Sequence, residues 1–86
     1  MTSTVPEICD VPVRGKLYRL YTIRSEVYLF ADLLCTEILE VIDLRVVVMF
    51  IEHTFVSTQI IYKDTVGYVW DANFVEVTNE VTDANV

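Results

Sequence analysis

The feature that most restricts how this chain can fold is a run of six apolar residues at positions 46–51, bounded by Arg45 and Glu52. Six residues are too few for most helices, and four of them are β-branched, a composition typical of strands. A continuous apolar run predicts a strand that is buried on both faces. A small β-domain has one core, so we expect the second face to be covered by the protein's own loops, the N-terminal segment, a partner or another copy.

The composition also predicts more apolar surface than one small core can hide. The chain has 86 residues, of which 53% are hydrophobic, and its mean hydropathy is +0.44. A single domain of this size buries only about 60% of the surface of its unfolded chain. We therefore expect an exposed apolar patch that a partner or another copy covers.

Three further segments are rich in strand-favouring residues and predict an all-β domain. Residues 15–24 predict the first strand, and residues 27–30 predict a second short strand or an extended loop arm. Residues 58–62 predict the return arm of a hairpin that begins with the apolar run at residues 46–51.

Residues 36–42 fit two kinds of secondary structure. The aliphatic side chains between positions 34 and 42 fall at helical spacing, and Asp32 could serve as the N-cap of a helix. Val41 and Ile42 are β-branched, however, and the neighbouring segments favour strands. We predict a strand here and keep a helix as the alternative.

The final patterned stretch, residues 65–77, predicts how the domain is closed. A strand-like segment reaches Gly67, the chain turns over through Trp70 to Asn73, and an alternating apolar strand that contains Phe74 follows. Two of the largest aromatic side chains in the protein thus lie at or beside this turn. We expect the stretch to close a small β-barrel.

The two ends of the chain lack the periodicity of strands or helices. Pro6 and Pro12 favour extended backbone in the residues before them, and they predict an extended N-terminal arm at residues 1–14. Residues 79–86 are polar and aperiodic, which predicts a short flexible C-terminal tail. The folded domain is expected to span residues 15–78.

The order of these segments resembles the SH3-like barrel. Residues 35–42 resemble the family's second-strand pattern of a turn, an acidic pair and alternating aliphatics. Residues 67–69, a short turn and residues 73–75 resemble its fourth strand, single 3₁₀ turn and fifth strand, and residues 17–21 are similar to its aromatic-rich first strand. The resemblance implies an all-β fold, a small five-stranded SH3-like barrel of the bacterial or phage type, and it implies a fold without naming a function.

The positions that form the family's peptide groove carry different residues here. Peptide-binding SH3 domains have a proline before the 3₁₀ turn, where this chain has Trp70 and one extra residue, and a tryptophan opening the third strand, where it has Val46. Tyr18 and Tyr21 are one residue further apart than the corresponding tyrosines of the family. A peptide-binding SH3 adaptor is therefore the third of three functional alternatives.

Charge is unevenly distributed along the chain. The formal net charge is −7, and four of the six basic residues fall within residues 14–24, whereas eleven acidic and two basic residues follow that window. Phosphate binding needs clustered Lys and Arg, so we expect no nucleic-acid partner. The asymmetry instead favours a module that meets protein partners or other copies of itself through opposite charge.

The sequence predicts neither a membrane-spanning nor a secreted protein. The longest apolar run has six residues, whereas a spanning helix needs about 20. Residues 1–13 carry Glu7 and Asp10 and lack a cationic, apolar signal pattern. We expect no membrane partner and a cytoplasmic location, which for a phage or viral component means the host cytoplasm or the virion.

The residue types that carry catalysis or bind metals are scarce. His53 is the single histidine, and Cys9 and Cys35 stand outside any C-x-x-C motif. We expect both thiols to be unpaired, with a disulfide between them as the open alternative. A strand would place Glu37 and Glu40 on opposite faces. The sequence therefore predicts no enzyme, no catalytic residue, no metal and no cofactor.

Two functional alternatives come before the adaptor. The first is a non-enzymatic interaction or structural assembly module, such as a phage or viral component, that binds a protein partner or self-associates. The second is a small acidic regulator that occupies a basic surface of a cellular or host enzyme. An exposed Trp70 would be an interface anchor and a buried one a core residue. The residues predicted to bind a partner are Val46, Val48, Phe50, Trp70, Tyr18, Tyr21 and Phe74.

Overall fold

The computed structural model describes residues 7–77, and within that range the chain is all-β. The predicted tail at residues 79–86 and the first six residues of the predicted arm lie outside the described residues. The seven strands are β1 (Leu17–Tyr21), β2 (Tyr28–Phe30), β3 (Ile38–Val41), β4 (Val48–His53), β5 (Thr58–Tyr62), β6 (Thr65–Val69) and β7 (Asn73–Glu76).

The strands form one antiparallel sheet in the order β3-β2-β6-β5-β4-β1-β7. Strands β4, β5 and β6 follow one another as a meander, and β1 lies between β4 and the last strand, β7. Strands β2 and β3 form a hairpin that joins the meander where Phe30 pairs with Tyr68 of β6. The two edges of the sheet are therefore β3 and β7.

The predicted closed barrel of five strands is corrected by this sheet, which has seven strands and two edges. Residues 27–30, interpreted as a second short strand or a loop arm, contain the strand β2, which pairs with β3, and this hairpin extends the sheet. The final patterned stretch does not close a barrel, because its halves pair at different places. Strand β6 pairs with β5 and β2, whereas β7 pairs with β1.

The sheet encloses one hydrophobic core. Side chains alternate between the two faces of each strand, and one set from every strand except β3 is buried in a single cluster. Its centre is a trio of rings, Tyr18, Phe50 and Phe74, with centroids 5.5–6.4 Å apart and planes at 82–87°. Edge-to-face pairs of this kind contribute about 0.5–1.5 kcal/mol each beyond their burial. Because one sheet surrounds this cluster, the sheet must be strongly curved.

The prediction that the central apolar run forms a strand is confirmed with a shift of two residues. Val48 and Phe50 of β4 face the core, and Met49 and Ile51 face outward and are partly exposed. Met49 lies in a registered row across four strands, which we call the outer row: Leu17, Met49, Ile61 and Val66. The second face of this strand is thus apolar, as expected, and it remains partly open to solvent.

The prediction of a strand within residues 36–42 is confirmed, and the alternative helix is excluded, because β3 occupies Ile38–Val41. The hairpin that ends in β3 is held close to the rest of the sheet at Gly67. A Cβ atom on Gly67 would lie 2.7 Å from Cδ1 of Leu29 and 2.9 Å from the carbonyl oxygen of Phe30. Only a glycine lets β2 approach β6 this closely.

Candidate partner-binding groove

Three connections of the sheet form an open groove of about 240 Å³. They are the β2–β3 loop at residues 31–37, the β4–β5 loop at residues 54–57 and the β6–β7 turn at residues 70–72. Most of the groove lining is apolar. The lining residues are Phe30, Leu34, Cys35, Val56 and Trp70.

Trp70 stands out of the groove wall with 55% of its surface exposed. It directly follows the buried Val69 at the end of β6, and Asp71 after it adopts a left-handed φ of 61° that reverses the chain. The guanidinium of Arg24 lies 5.7 Å from the Trp70 ring centroid, and its Nε donates a hydrogen bond to the Asp71 carboxylate. A cation–π contact at an exposed site contributes about 0.5–1 kcal/mol. Arg24 therefore holds the turn and covers part of the indole.

The β4–β5 loop is fixed by the hydroxyl groups of Thr54 and Ser57. Oγ1 of Thr54 accepts hydrogen bonds from the backbone N–H groups of Val56 and Ser57, at 3.3 and 3.0 Å. Oγ of the buried Ser57 donates a hydrogen bond of 2.7 Å to the carbonyl oxygen of Leu33. This last bond ties the β4–β5 loop to the β2–β3 loop and sets the width of the groove between them.

The β2–β3 loop is organised by Asp32. Its carboxylate accepts hydrogen bonds from the Thr36 hydroxyl at 2.7 Å and from the backbone N–H groups of Thr36 and Glu37 at 2.9 and 3.0 Å. The Thr36 hydroxyl is the main reason why the pKa of Asp32 is below its usual value. Because the charged carboxylate holds these donors, it presents Leu34 and Cys35 to the groove.

The Cys35 thiol is suited to lining the groove and poorly suited to attacking a substrate. Partial burial raises the pKa of Cys35, and the negative charge of Asp32 raises it further. The thiolate is the reactive form of cysteine, so a raised pKa leaves little nucleophile at neutral pH. Cys9 and Cys35 are both free thiols.

Exposed apolar side chains and acidic groups surround the groove. Phe55 at the tip of the β4–β5 loop is fully exposed, and Ile23, next to the arginine that covers Trp70, is almost as exposed. The acidic side chains in the connections that form the groove include Asp32 in the β2–β3 loop and Asp71 in the β6–β7 turn, and Asp71 is paired with Arg24. The groove therefore combines an apolar lining with acidic side chains in two of its walls.

Among the residues predicted to bind a partner, Trp70 alone lines the groove. Four of the others lie in the core and are buried: Tyr18, Val48, Phe50 and Phe74. Val46 packs against that core, and Tyr21 at the end of β1 is partly buried. A partner would have to open the core to reach the four buried side chains.

The sequence reasoning missed Phe30, Leu34 and Val56 as groove residues. Phe30 is the last residue of β2, and the other two lie in loops, where no hydrophobic periodicity marks a side chain as part of a surface. The one available signal was the apolar character of positions 33, 34, 55 and 56 within connections that are usually polar.

His53, the single histidine, is not among the residues that line the groove. His53 ends β4 with its Nδ1 atom 2.9 Å from Oγ1 of Thr58, and its ring contacts Phe50 at a centroid distance of 5.0 Å. Within residues 7–77, no three His, Cys, Asp or Glu side chains are grouped so that they could hold a metal ion. The same range contains no helix with the length and apolarity needed to cross a bilayer.

No protein-family model matches the chain, and comparisons with curated proteins and with solved structures likewise find no match. The SH3-like resemblance therefore stays a prediction.

Proposed function

We propose that this protein is a non-enzymatic interaction module that binds a protein partner through the groove beside Trp70. The observation that carries the proposal is a tryptophan that is more than half exposed and packed on one side by Arg24, which pairs with Asp71. Tryptophan is enriched among the residues that dominate binding energy at interfaces. An indole packed in this way also loses less conformational freedom when a partner arrives than an unpacked one.

The size of the groove favours a side chain as its occupant. Small-molecule sites usually enclose about 300–1,000 Å³, whereas this groove encloses about 240 Å³ and is open to solvent. The surrounding exposed apolar side chains extend the contact area beyond the groove, as an interface requires. We therefore expect an apolar side chain of the partner to enter between Phe30, Val56 and Trp70.

The SH3-like resemblance concerns the scaffold of this module and not its function. Strand β6, the turn that carries Trp70 and strand β7 occur in the order which that resemblance implies. The closed barrel is not part of the proposal. The proposed module is a β-sheet that presents a groove between its loops. In such an arrangement the rigid strands hold the loops that carry the binding residues.

Selection of displayed peptides against the intact chain tests this proposal. Peptides selected on the native protein should shift the NMR signals of Phe30, Leu34, Val56 and Trp70. Trp70→Ala should weaken their binding at least about 30-fold, as expected for the loss of a hot-spot residue. Val66→Ala, an exposed apolar residue of the outer row, is the matched control and should leave binding unchanged.

The proposal is contradicted if the selected peptides bind Trp70→Ala as tightly as the native protein, or if their NMR footprint lies on the outer row. Light scattering after size-exclusion chromatography tests the self-association form of the proposal. A strict monomer at millimolar concentration would leave a different protein as the partner.

The charge distribution supports a second function, a small acidic regulator that covers a basic surface. Residues 25–44 contain five acidic residues and no basic one, and this segment forms one wall of the groove. Exposed charges are screened within about 10 Å at 0.1 M salt. The affinity of such a complex should therefore fall steeply with ionic strength, and a salt-independent affinity would rule out this function.

A further inference from the structure

We infer that the open edge of β3 is a second binding site, at which an extended segment of a protein partner that carries Lys or Arg among apolar residues adds as an eighth strand. This site is independent of the groove, because it uses the backbone of β3 and not the Trp70 side chain. Addition of a strand to a sheet edge is a common mode of peptide recognition.

The hydrogen bonds of the β2–β3 hairpin show which backbone groups of β3 face the open edge. The N–H of Ile42 donates a hydrogen bond of 2.9 Å to the carbonyl oxygen of Val27. The N–H of Ala31 donates one of 2.8 Å to the carbonyl oxygen of Glu37. Backbone groups alternate in direction along an antiparallel strand. Ile42 and Glu37 bond to the β2 side, so the backbone groups of the residues next to them in β3 point the other way. The N–H and C=O groups of Val41 and Ile38 are therefore directed away from β2, toward the open edge.

The side chains of β3 offer an incoming strand apolar area on both faces. Every residue of β3 is exposed, and three of the four are large and apolar: Ile38 at 55%, Leu39 at 45% and Val41 at 48%. Ile38 and Val41 pair with Phe30 and Tyr28 of β2, so they share one face of the sheet. Of the devices by which natural sheets protect an edge, β3 has a short length, a bulge and the charged Glu40, but it has no lysine, no proline and no backbone-bonded covering segment among the described residues.

The charges around β3 identify the chemistry of the occupant. Glu40 lies within β3 and Glu37 directly precedes it, and residues 25–44 contain no basic residue. Like charges on neighbouring strands are destabilising and opposite charges stabilise the pair. Two copies of β3 would bring these glutamates together, whereas a segment with lysine or arginine would complement them. The charge pattern therefore favours a cationic partner over a second copy.

The length of the paired region is limited by a bulge. The register of β3 against β2 shifts between Leu29 and Phe30, which leaves Leu39 without a partner residue opposite it. Bulges bend a strand and interrupt its ladder. We therefore expect a short added strand that pairs with Ile38 on one side of the bulge and with Val41 on the other.

The probe for this site is an acetylated and amidated hexapeptide of alternating lysine and valine, titrated into the intact 15N-labelled chain. Binding should shift the amide signals of Ile38–Val41 and slow hydrogen exchange at Val41. Val41→Pro removes an N–H that no strand of the sheet uses, and it should weaken binding by about tenfold or more. Trp70→Ala should leave this binding unchanged, which separates the edge site from the groove.

A second peptide tests the site without altering the protein. N-methylation of alternate residues removes the backbone donors of the peptide, and it should also weaken binding by about tenfold or more. The charge contribution is measured with Glu37→Gln/Glu40→Gln against the matched pair Glu52→Gln/Glu76→Gln. The first pair should reduce affinity and its salt dependence, and the second should change neither.

Three results would overturn the inference. The first is a peptide footprint on the groove with no shift in β3. The second is equal affinity for the N-methylated peptide. The third is a concentration-dependent dimer of the native chain that Val41→Pro abolishes, because the occupant of the edge would then be a second copy.

Discussion

The two edge strands of the sheet, β3 and β7, are both four residues long and yet have opposite roles. Strand β7 pairs with β1 along its whole length, from Glu76 opposite Tyr18 to Asn73 opposite Tyr21. Its Phe74 is only 3% exposed, and the carbonyl oxygen of Phe74 accepts a hydrogen bond from the N–H of Cys9, which covers the outer side of the strand. No residue of β3 is buried, and no described residue covers its outer side.

The difference shows that strand length does not decide how an edge is used. Strand β7 places a large aromatic ring into the core, so its side chain stabilises the fold and its backbone edge is covered. Strand β3 is attached through β2, and its apolar side chains stay on the surface. The β7 side therefore contributes to the core, and the β3 side presents exposed apolar surface.

The largest expected effect distinguishes the two edges by stability. Phe74→Ala removes a ring from the central trio and should lower the free energy of unfolding by about 3–5 kcal/mol. Val41→Ala, at a half-exposed position of β3, should change it by less than about 0.5 kcal/mol. Urea denaturation of both variants measures the contrast. Similar losses in the two variants would show that β3 belongs to the cooperative core.

The substitution Gly67→Ala should have a smaller effect and should loosen only the β3 side of the sheet. Gly67→Ala brings a Cβ atom to within 2.7 Å of the Leu29 side chain, and overpacking of this kind costs about 1–3 kcal/mol. Hydrogen exchange should become faster in β2 and β3 while β1 and β7 stay protected.

Gly15→Ala is the matched control, because Gly15 has a positive φ of 84° and open space around its Cα. Its cost of about 1–2 kcal/mol comes from backbone strain alone. It should act on the β1 side, where the Gly15 N–H bonds to the carbonyl oxygen of Phe50. Equal loss of protection at both edges in the Gly67 variant would mean that the hairpin does not open separately.

The smallest effect is a loosening of the β3 side in acid. The pKa of Asp43 is lowered to about 2, chiefly by the hydrogen bonds of the Arg45 side chain and next by that of the Arg45 backbone N–H. The Thr36 hydroxyl lowers the pKa of Asp32. A carboxylate whose pKa is lower in the folded than in the unfolded state stabilises the fold at pH values above its unfolded pKa of 3.8. This stabilisation is lost as the pH falls through the pKa of the folded state.

The window for Asp43 therefore lies between about pH 4 and pH 2. The change should be small because both carboxylates are near the surface. Stability measured at pH 5 and at pH 2.5 should differ less in Asp43→Asn than in the native chain. An identical difference in the two proteins would show that this carboxylate is not linked to folding.

The local elements of the fold could be read from the sequence because their signals are local. The strand at residues 58–62 has the predicted bounds, and the β-branched Val41 predicted strand over helix correctly. The two-residue Lys63–Asp64 turn, with positive φ values of 49° and 66°, was not predicted, because it lacks the Asn-Gly or Asp-Gly pair that usually marks such a turn. Closure could not be predicted, because the choice between a barrel and an open sheet depends on strands distant in sequence, such as β2 beside β6.

The candidate site was less accessible to sequence reasoning. Val48 and Phe50 alternate with Met49 and Ile51, so both faces of β4 are apolar and the sequence alone does not indicate which face is inside. The sequence left open whether Trp70 is exposed or buried, and the structure leaves 55% of its surface exposed. The other walls of the groove come from loops whose positions depend on hydrogen bonds such as that from Ser57 to the Leu33 carbonyl.

The pairing of β1 with β7 also has a consequence for the order in which the protein assembles. Tyr62 and Thr65 meet across a two-residue turn, whereas Tyr18 and Glu76 meet across most of the chain. Loop-closure entropy makes the second contact more costly by about 2–3 kcal/mol, and contacts between distant residues slow folding. The β4–β5–β6 meander can therefore form before β1 pairs with β7. The trio of rings is complete only when β7 brings Phe74 to Tyr18 and Phe50, so these two rings stay partly exposed until β7 pairs with β1.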